Sequence, residues 1–196
     1  MVSQIEQAGL NFSEVSAFAT PRRLAVIFSQ LDDKQADRQE QKLGPNVKAA
    51  LDKDGNPSKA ALGFAASCGA SFEQLEHIET DKGTRLGFEQ TIKGQTISEL
   101  VPSFINHALQ QLPIPKRMRW GSSRNEFVRP VKWFTLVFGD AVIDASVLGV
   151  NAADKTYGHR FHAPQAITVN AQTYQQALKD AFVLADLELR KTLIKQ

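Results

Sequence analysis

A single cysteine, Cys68, occurs in 196 residues. No disulfide can close within the chain, which excludes the small disulfide-stapled secreted scaffolds. Apolar stretches stay at strand length, short of the ~20 residues that a membrane-spanning helix needs. The start, Met1-Val2-Ser3-Gln4-Ile5-Glu6, has neither a basic beginning nor an apolar core, so it does not read as a secretory leader. These absences set the expectation of a cytoplasmic protein with no membrane association. Repeats, low-complexity tracts and long Gly/Ser linkers are also missing. So is a dominant charge: the net value is only +2, which selects no partner by itself.

Catalytic signatures are equally scarce. There is no glycine-rich phosphate loop ending in Lys-Ser or Lys-Thr, no Gly-x-Gly-x-x-Gly and no Gly-x-Ser-x-Gly. Cys68 falls on the apolar face of a predicted helix and reads as a small core residue. His159 and His162 lie three apart in Gly158-His159-Arg160-Phe161-His162. That spacing can ligate a metal, but no HExxH pattern or cysteine cluster accompanies it, so zinc ranks far behind. The plain reading is a loop contacting backbone or solvent; the functional one is contact with a phosphate or a partner subunit. Asp32, Asp33 and Asp37 sit in a charged stretch where solvated carboxylates are the default. Asp52 and Asp54 precede Gly55 in a turn-like segment. No catalytic residue and no metal ligand is assigned.

What is present is an ordinary globular composition, 42% hydrophobic and 22% charged, long enough for one large domain or two small ones. Residues 13–31 predict two strands around Ala19-Thr20-Pro21, with Leu24–Phe28 an apolar run expected to be buried on both faces. Residues 32–42 read as a loop or an edge strand. Asn56-Pro57 is expected to open a helix whose apolar face is Ala61, Phe64, Ala65 and Cys68, with Gly69 as its stop. Ser71 with Gln74 predicts a capping box, and 77–80 with 85–91 a hairpin across Asp81-Lys82-Gly83. The clearest helix is 97–111, capped by Thr96 and Glu99 and apolar at i, i+3, i+4, i+7. Trp133–Phe138 and Val142–Val150 predict a strand pair turned at Gly139-Asp140, and a strand follows near Ile167–Val169. Thr173 with Gln176 is expected to cap one last helix running to Gln196, where no stop signal appears, as though the chain had been cut. The resulting expectation is an α+β fold with mixed or antiparallel sheets and packed helices, in two lobes, 1–95 and 96–196.

Charge is uneven along the chain. Residues 116–132 hold Lys116, Arg117, Arg119, Arg124, Arg129 and Lys132 against one acid, Glu126, a local +5. Guanidinium forks suit phosphate oxygens, and the indole of Trp120 can stack on a base or ribose. The same cations could instead pair with acids of neighbouring elements or face an acidic protein. Arg22 and Arg23 make a second basic point after Pro21, where entry into a buried strand favours a structural role.

At this point specific blocks appear in order: Phe18-Ala19-Thr20-Pro21-Arg22-Arg23-Leu24-Ala25-Val26, Lys42-Leu43-Gly44-Pro45, Gly55-Asn56-Pro57-Ser58-Lys59-Ala60-Ala61, Thr80-Asp81-Lys82-Gly83, the run from Leu112 to Gly121, Phe127-Val128-Arg129-Pro130-Val131 and Gly158-His159-Arg160-Phe161. Together they resemble the β subunit of the bacterial two-subunit glycyl-tRNA synthetase, over most of the chain. The resemblance implies a piece of a longer subunit, with further segments before Met1 and after Gln196. It implies an α2β2 heterotetramer that joins glycine to its tRNA using ATP and Mg2+. The aminoacylation centre would lie in the α subunit, and no cofactor would bind to this piece. The expected partners are then the α subunit and glycine tRNA. The expected nucleic-acid contacts are Lys116, Arg117, Arg119, Trp120 and Arg129, with Arg22, Arg23 and Arg160. The alternative is a scaffold that docks the α subunit or other β-subunit domains without touching tRNA.

Overall fold

The computed structural model describes residues 1–51, 56–80 and 83–195. The chain forms two compact units, Met1–Gln35 with Gln95–Gln196, and Ala36–Gly94. The expected lobes, 1–95 and 96–196, differ from this in their first part. Residues 1–35 supply side chains to cores built mainly by residues 97–185, a non-local requirement that no composition shift marks.

Helix α1 (Val2–Gln7) ends where Gly9 adopts φ +72°. Gly9 N–H donates to Glu6 O, and Leu10 N–H to Ile5 O, the Schellman closure. Strands β1 (Glu14–Thr20) and β2 (Arg23–Ser29) pair antiparallel. Phe18, Ala25 and Ile27 share the face packed on Val169, Tyr174 and Leu178. Leu24 and Val26 lie on the other face, 58% and 41% exposed. The 24–28 run is therefore not buried along both faces: on the face of Leu24 and Val26 only Phe28 reaches a core, beside the cluster of Ile5, Leu10 and Ile97, and the other two stay open.

The Ala36–Gly94 unit contains β3 (Arg38–Asn46), α2 (Val47–Ala50), α3 (Lys59–Cys68), a 3-10 turn at Phe72–Gln74, β4 (Glu76–Thr80) and β5 (Gly83–Ile92). Its antiparallel sheet runs β3-β5-β4, so β3 is an edge strand. Leu86, Ala50 and Ala61 form its buried centre, with Phe64, Phe72 and Leu75 around them. The cap of α3 is Ser58 rather than the expected Asn56: Ser58 Oγ accepts from Ala61 N–H at 3.3 Å, and Pro57 bridges Leu51 instead of starting the helix. Gly69 closes α3 at φ +68° as expected, and the Ser71–Gln74 capping box is present. The turn expected at Asp81-Lys82, like the Asp52–Asp54 segment, lies outside the described residues.

Helix α4 (Ile97–Gln111) has the predicted bounds, and Thr96 N–H and Oγ1–H both donate to the Glu99 carboxylate, at 2.8 and 3.0 Å. Its buried Ile97, Val101 and Phe104 pack with Ile5, Leu10 and Ile143. Short strands follow: β6 (Met118–Arg119), β7 (Glu126–Phe127), β8 (Phe134–Thr135), β9 (Val137–Phe138), β10 (Ala141–Val142), β11 (Ser146–Val147), β12 (Val150–Ala153), β13 (Lys155–Tyr157) and β14 (Ala166–Thr168). β9 and β10 turn at Gly139-Asp140 as predicted, but the long strand pair expected there is divided. β12 pairs antiparallel with β11 and parallel with β8, which makes this sheet mixed. The architecture is α+β.

The last predicted helix is two, α5 (Tyr174–Asp180) and α6 (Leu187–Lys195). Thr173 makes no side-chain cap. Asn170 Oδ1 instead accepts from the Gln172 and Thr173 N–H groups, at 3.0 and 2.9 Å. Helix α5 closes with Phe182 at φ +60°. Phe182 N–H donates to Lys179 O, and Val183 N–H to Leu178 O. Asp186 Oδ1 then starts α6 by accepting from Glu188 and Leu189 N–H. A phenylalanine in the left-handed position gives no sequence signal of a stop, because that position ordinarily calls for glycine.

Candidate nucleic-acid interface

Two basic surfaces emerge. The first follows α4. Lys116 is exposed just before β6, Arg119 is exposed on β6, and Arg129 lies exposed two residues after β7. Trp120 is half-buried at the start of the turn. Arg117 Nη2 donates back to Leu109 O and Gln110 O at 3.4 and 3.2 Å, where carbonyls at a helix C-terminus attract a cation. Part of its fork is thus occupied. Arg119 stands opposite Glu126 in the ladder, which offsets some of its charge. Lys116, Arg119, Arg124, Arg129 and Lys132 make no hydrogen bond or ion pair among the described residues. Their charge is open to solvent.

The second surface joins segments far apart in sequence. Arg22, Arg23, Gly158, His159, Arg160, Phe161 and Val183 line an open cleft of about 280 Å³. Arg23 begins β2 and donates through Nη2 to Tyr157 O and, at 3.0 Å, to Gly158 O. Burial lowers its pKa and the nearby Tyr174 partly offsets this, though an arginine remains cationic. Burial raises the Tyr174 hydroxyl in turn. Arg22 and Arg23 both lie over the Trp133 ring, at 5.9 and 5.7 Å, within cation–π range. Arg23 is therefore committed to structure, while Arg22 and Arg160 are exposed and form no ion pair among the described residues. Gly158 is buried, and a Cβ there would meet Ala181 Cβ at 2.5 Å, so the close packing needs glycine.

The histidine pair is held by its own loop. His159 Nδ1 accepts from the Phe161 and His162 N–H groups at 3.2 and 3.3 Å, which leaves that nitrogen without a free lone pair for a metal. Among the described residues no group of three or more His, Cys, Asp or Glu could hold a metal ion. Asp32 accepts from Asn11 and Asp37 from Gly94 N–H, so both carboxylates fasten loops. Cys68 is buried. No helix is long and apolar enough to cross a membrane among the described residues.

The model of the family described as glycyl-tRNA synthetase beta subunit matches residues 1–196. The chain belongs to this family. It is 49% identical over 193 residues to the glycine–tRNA ligase beta subunit of Chromohalobacter salexigens, covering 98% of this chain and 28% of that protein. The Hahella chejuensis beta subunit is 48% identical over 195 residues, covering 98% and 28%. That of Marinobacter nauticus is 46% identical over 197 residues, covering 100% and 28%. The chain thus spans about a quarter of the length of these relatives.

Within this fold, two of the blocks that carried the resemblance meet in one cleft, the first through Arg22 and Arg23 and the second through Gly158, His159, Arg160 and Phe161. A third, Lys116 to Gly121, builds the hairpin after α4. Sequence reasoning missed Trp133 beneath the arginines and Phe182. The exposure of Phe161, 80%, was also invisible, since an aromatic residue in sequence reads as core.

Proposed function

We propose that this chain is the part of a glycyl-tRNA synthetase β subunit that supports ATP-dependent attachment of glycine by holding tRNA and by assembling with other parts of the enzyme. The observation that carries it is the open run of cations from Lys116 to Lys132, unpaired among the described residues apart from Arg117. Arginines and lysines so placed neutralise phosphates irrespective of sequence. Trp120 adds a partly exposed ring beside them. In this reading ATP and Mg2+ serve the whole α2β2 enzyme through its α subunit. The whole enzyme works in the cytoplasm.

The test is binding of the chain to glycine tRNA, and to a mismatched tRNA, across a salt series. Affinity is expected to fall steeply with salt. Arg119→Ala with Arg129→Ala should flatten the log–log slope by about one unit for each phosphate that is no longer neutralised. An unchanged slope would remove this surface from tRNA binding.

A scaffold role has its own support. Leu24 is 58% exposed, Val26 41% and Val15 40%, on one face of the β1–β2 ribbon. Such a patch marks a covered surface in a larger assembly. In this reading the face docks the α subunit or another β-subunit domain. Co-purification with the α subunit, abolished by Leu24→Asp, is the outcome it predicts.

A further inference from the structure

Three helices, α1, α3 and α5, end with the same pair of backbone hydrogen bonds. In α1 and α3 the left-handed residue is Gly9 or Gly69. In α5 it is Phe182, whose Cβ makes this conformation unfavourable, and whose ring is 65% exposed. Neither backbone nor burial explains a phenylalanine there.

Its surroundings do. Phe182 lies 5.4 Å from the His162 ring, His162 4.6 Å from His159, and His159 6.2 Å from Phe161. Four rings form a row whose two end members, 80% and 65% exposed, present apolar faces to water. The loop carrying Phe161 is locked to the bend carrying Phe182: His159 N–H donates to Ala181 O at 2.9 Å, and Gly158 packs on Ala181. The adjoining cleft is lined by three arginines and a histidine, with no acid among the described residues. Since Arg23 is taken by two carbonyls, Arg22 and Arg160 are the cations left for a ligand.

We infer that this cleft and ring row bind a short unpaired stretch of an RNA strand. A phosphate is held by Arg22 and Arg160, and the bases on either side of it lie one against Phe161 and one against Phe182, the exposed ends of the row. The inference deepens the tRNA reading above and rests on it. Duplex RNA keeps its bases stacked internally, so only a splayed or terminal base reaches an aromatic face. The cleft volume, about 280 Å³, falls just below the range of ligand pockets (about 300–1,000 Å³) and suits one phosphate-bearing residue of a strand rather than a whole small molecule.

The probe is a fluorescently labelled single-stranded RNA tetramer, read by anisotropy, beside a blunt duplex and full-length glycine tRNA. The tetramer should outcompete the duplex at equal nucleotide concentration. Phe161→Ala and Phe182→Gly should each weaken tetramer binding about tenfold, the size of one base stack, and leave the duplex within about twofold. Because glycine suits the left-handed position, Phe182→Gly should keep or raise Tm, which separates a binding defect from unfolding. Tetramer binding untouched by both variants would overturn the inference. An acidic or phosphorylated peptide that displaces the tetramer at equal concentration would also overturn it, marking a protein-docking site. Salt-sensitive tRNA binding that responds to Arg119→Ala but to neither phenylalanine variant would sink this cleft and leave the hairpin reading intact. Binding of no RNA at low salt would sink both.

Discussion

Replacing Gly158 by alanine adds one methyl group, and the geometry says where it goes. An ideal Cβ would lie 2.5 Å from Ala181 Cβ, 2.8 Å from Ala181 O and 3.0 Å from Ala163 Cβ. None of these belongs to a flexible side chain, so backbone must move. Overpacking of this kind costs about 1–3 kcal/mol. The neighbouring His159 N–H to Ala181 O bond, 2.9 Å long, would stretch or break, adding about 0.5–1.5 kcal/mol. The expected destabilisation is therefore about 2–4 kcal/mol. Gly63 is the control. It is exposed in the middle of α3 with nothing within 4 Å of its Cβ position, so Gly63→Ala should stabilise by about 0.5–1 kcal/mol. Urea unfolding followed by tryptophan fluorescence reads the first change, since Trp120 and Trp133 both lie in the larger unit. Far-UV circular dichroism adds the second. A Gly158→Ala variant within about 0.5 kcal/mol of the parent would refute the steric argument, and with it the claim that this glycine clamps the Phe161 loop to the Phe182 bend.

Other outcomes follow from the cores and caps. Leu178 is fully buried among Phe18, Tyr174 and Val169, so Leu178→Ala should cost about 2–5 kcal/mol in urea unfolding; a smaller cost would mean that this cluster collapses onto the cavity. Hydrogen bonds from Thr96, backbone first and then hydroxyl, hold the Glu99 carboxyl below its usual pKa. A depressed folded value means that the contribution is complete above the unfolded value, about 4.3, and disappears as pH falls through the folded one. The stability gap between parent and Glu99→Ala should then be constant near neutrality and close in acid. A gap that widens on acidification would contradict the assignment.

Local patterns are legible wherever short-range physics decides. The 3.6-residue apolar period and the Thr96–Glu99 box place α4 to the residue, and Gly69 and Gly139-Asp140 mark their turns. The basic run at 116–132 is visible because charge is a property of composition. Errors arise where a local preference has to yield. Asn56 is a good cap by type, but Ser58 holds the oxygen that reaches Ala61 N–H. Ala181-Phe182-Val183 has no helix breaker, so α5 and α6 read as one.

The order of residues by itself determined the α+β class, the bounds and cap of α4, the two basic segments and the family to which the chain belongs. Only the tertiary structure decided how those segments are used. It spent Arg23 on two carbonyls and half of Arg117 on a helix end, and it left Arg22 and Arg160 without an ion-pair partner among the described residues. It also joined residues 22–23 to 158–161 across one cleft and put Phe161 and Phe182 in water. The reason is physical: whether a cation is paired or an aromatic ring is covered depends on which distant backbone comes to lie beside it, and that neighbour is chosen by packing of the whole core rather than by any local run of sequence.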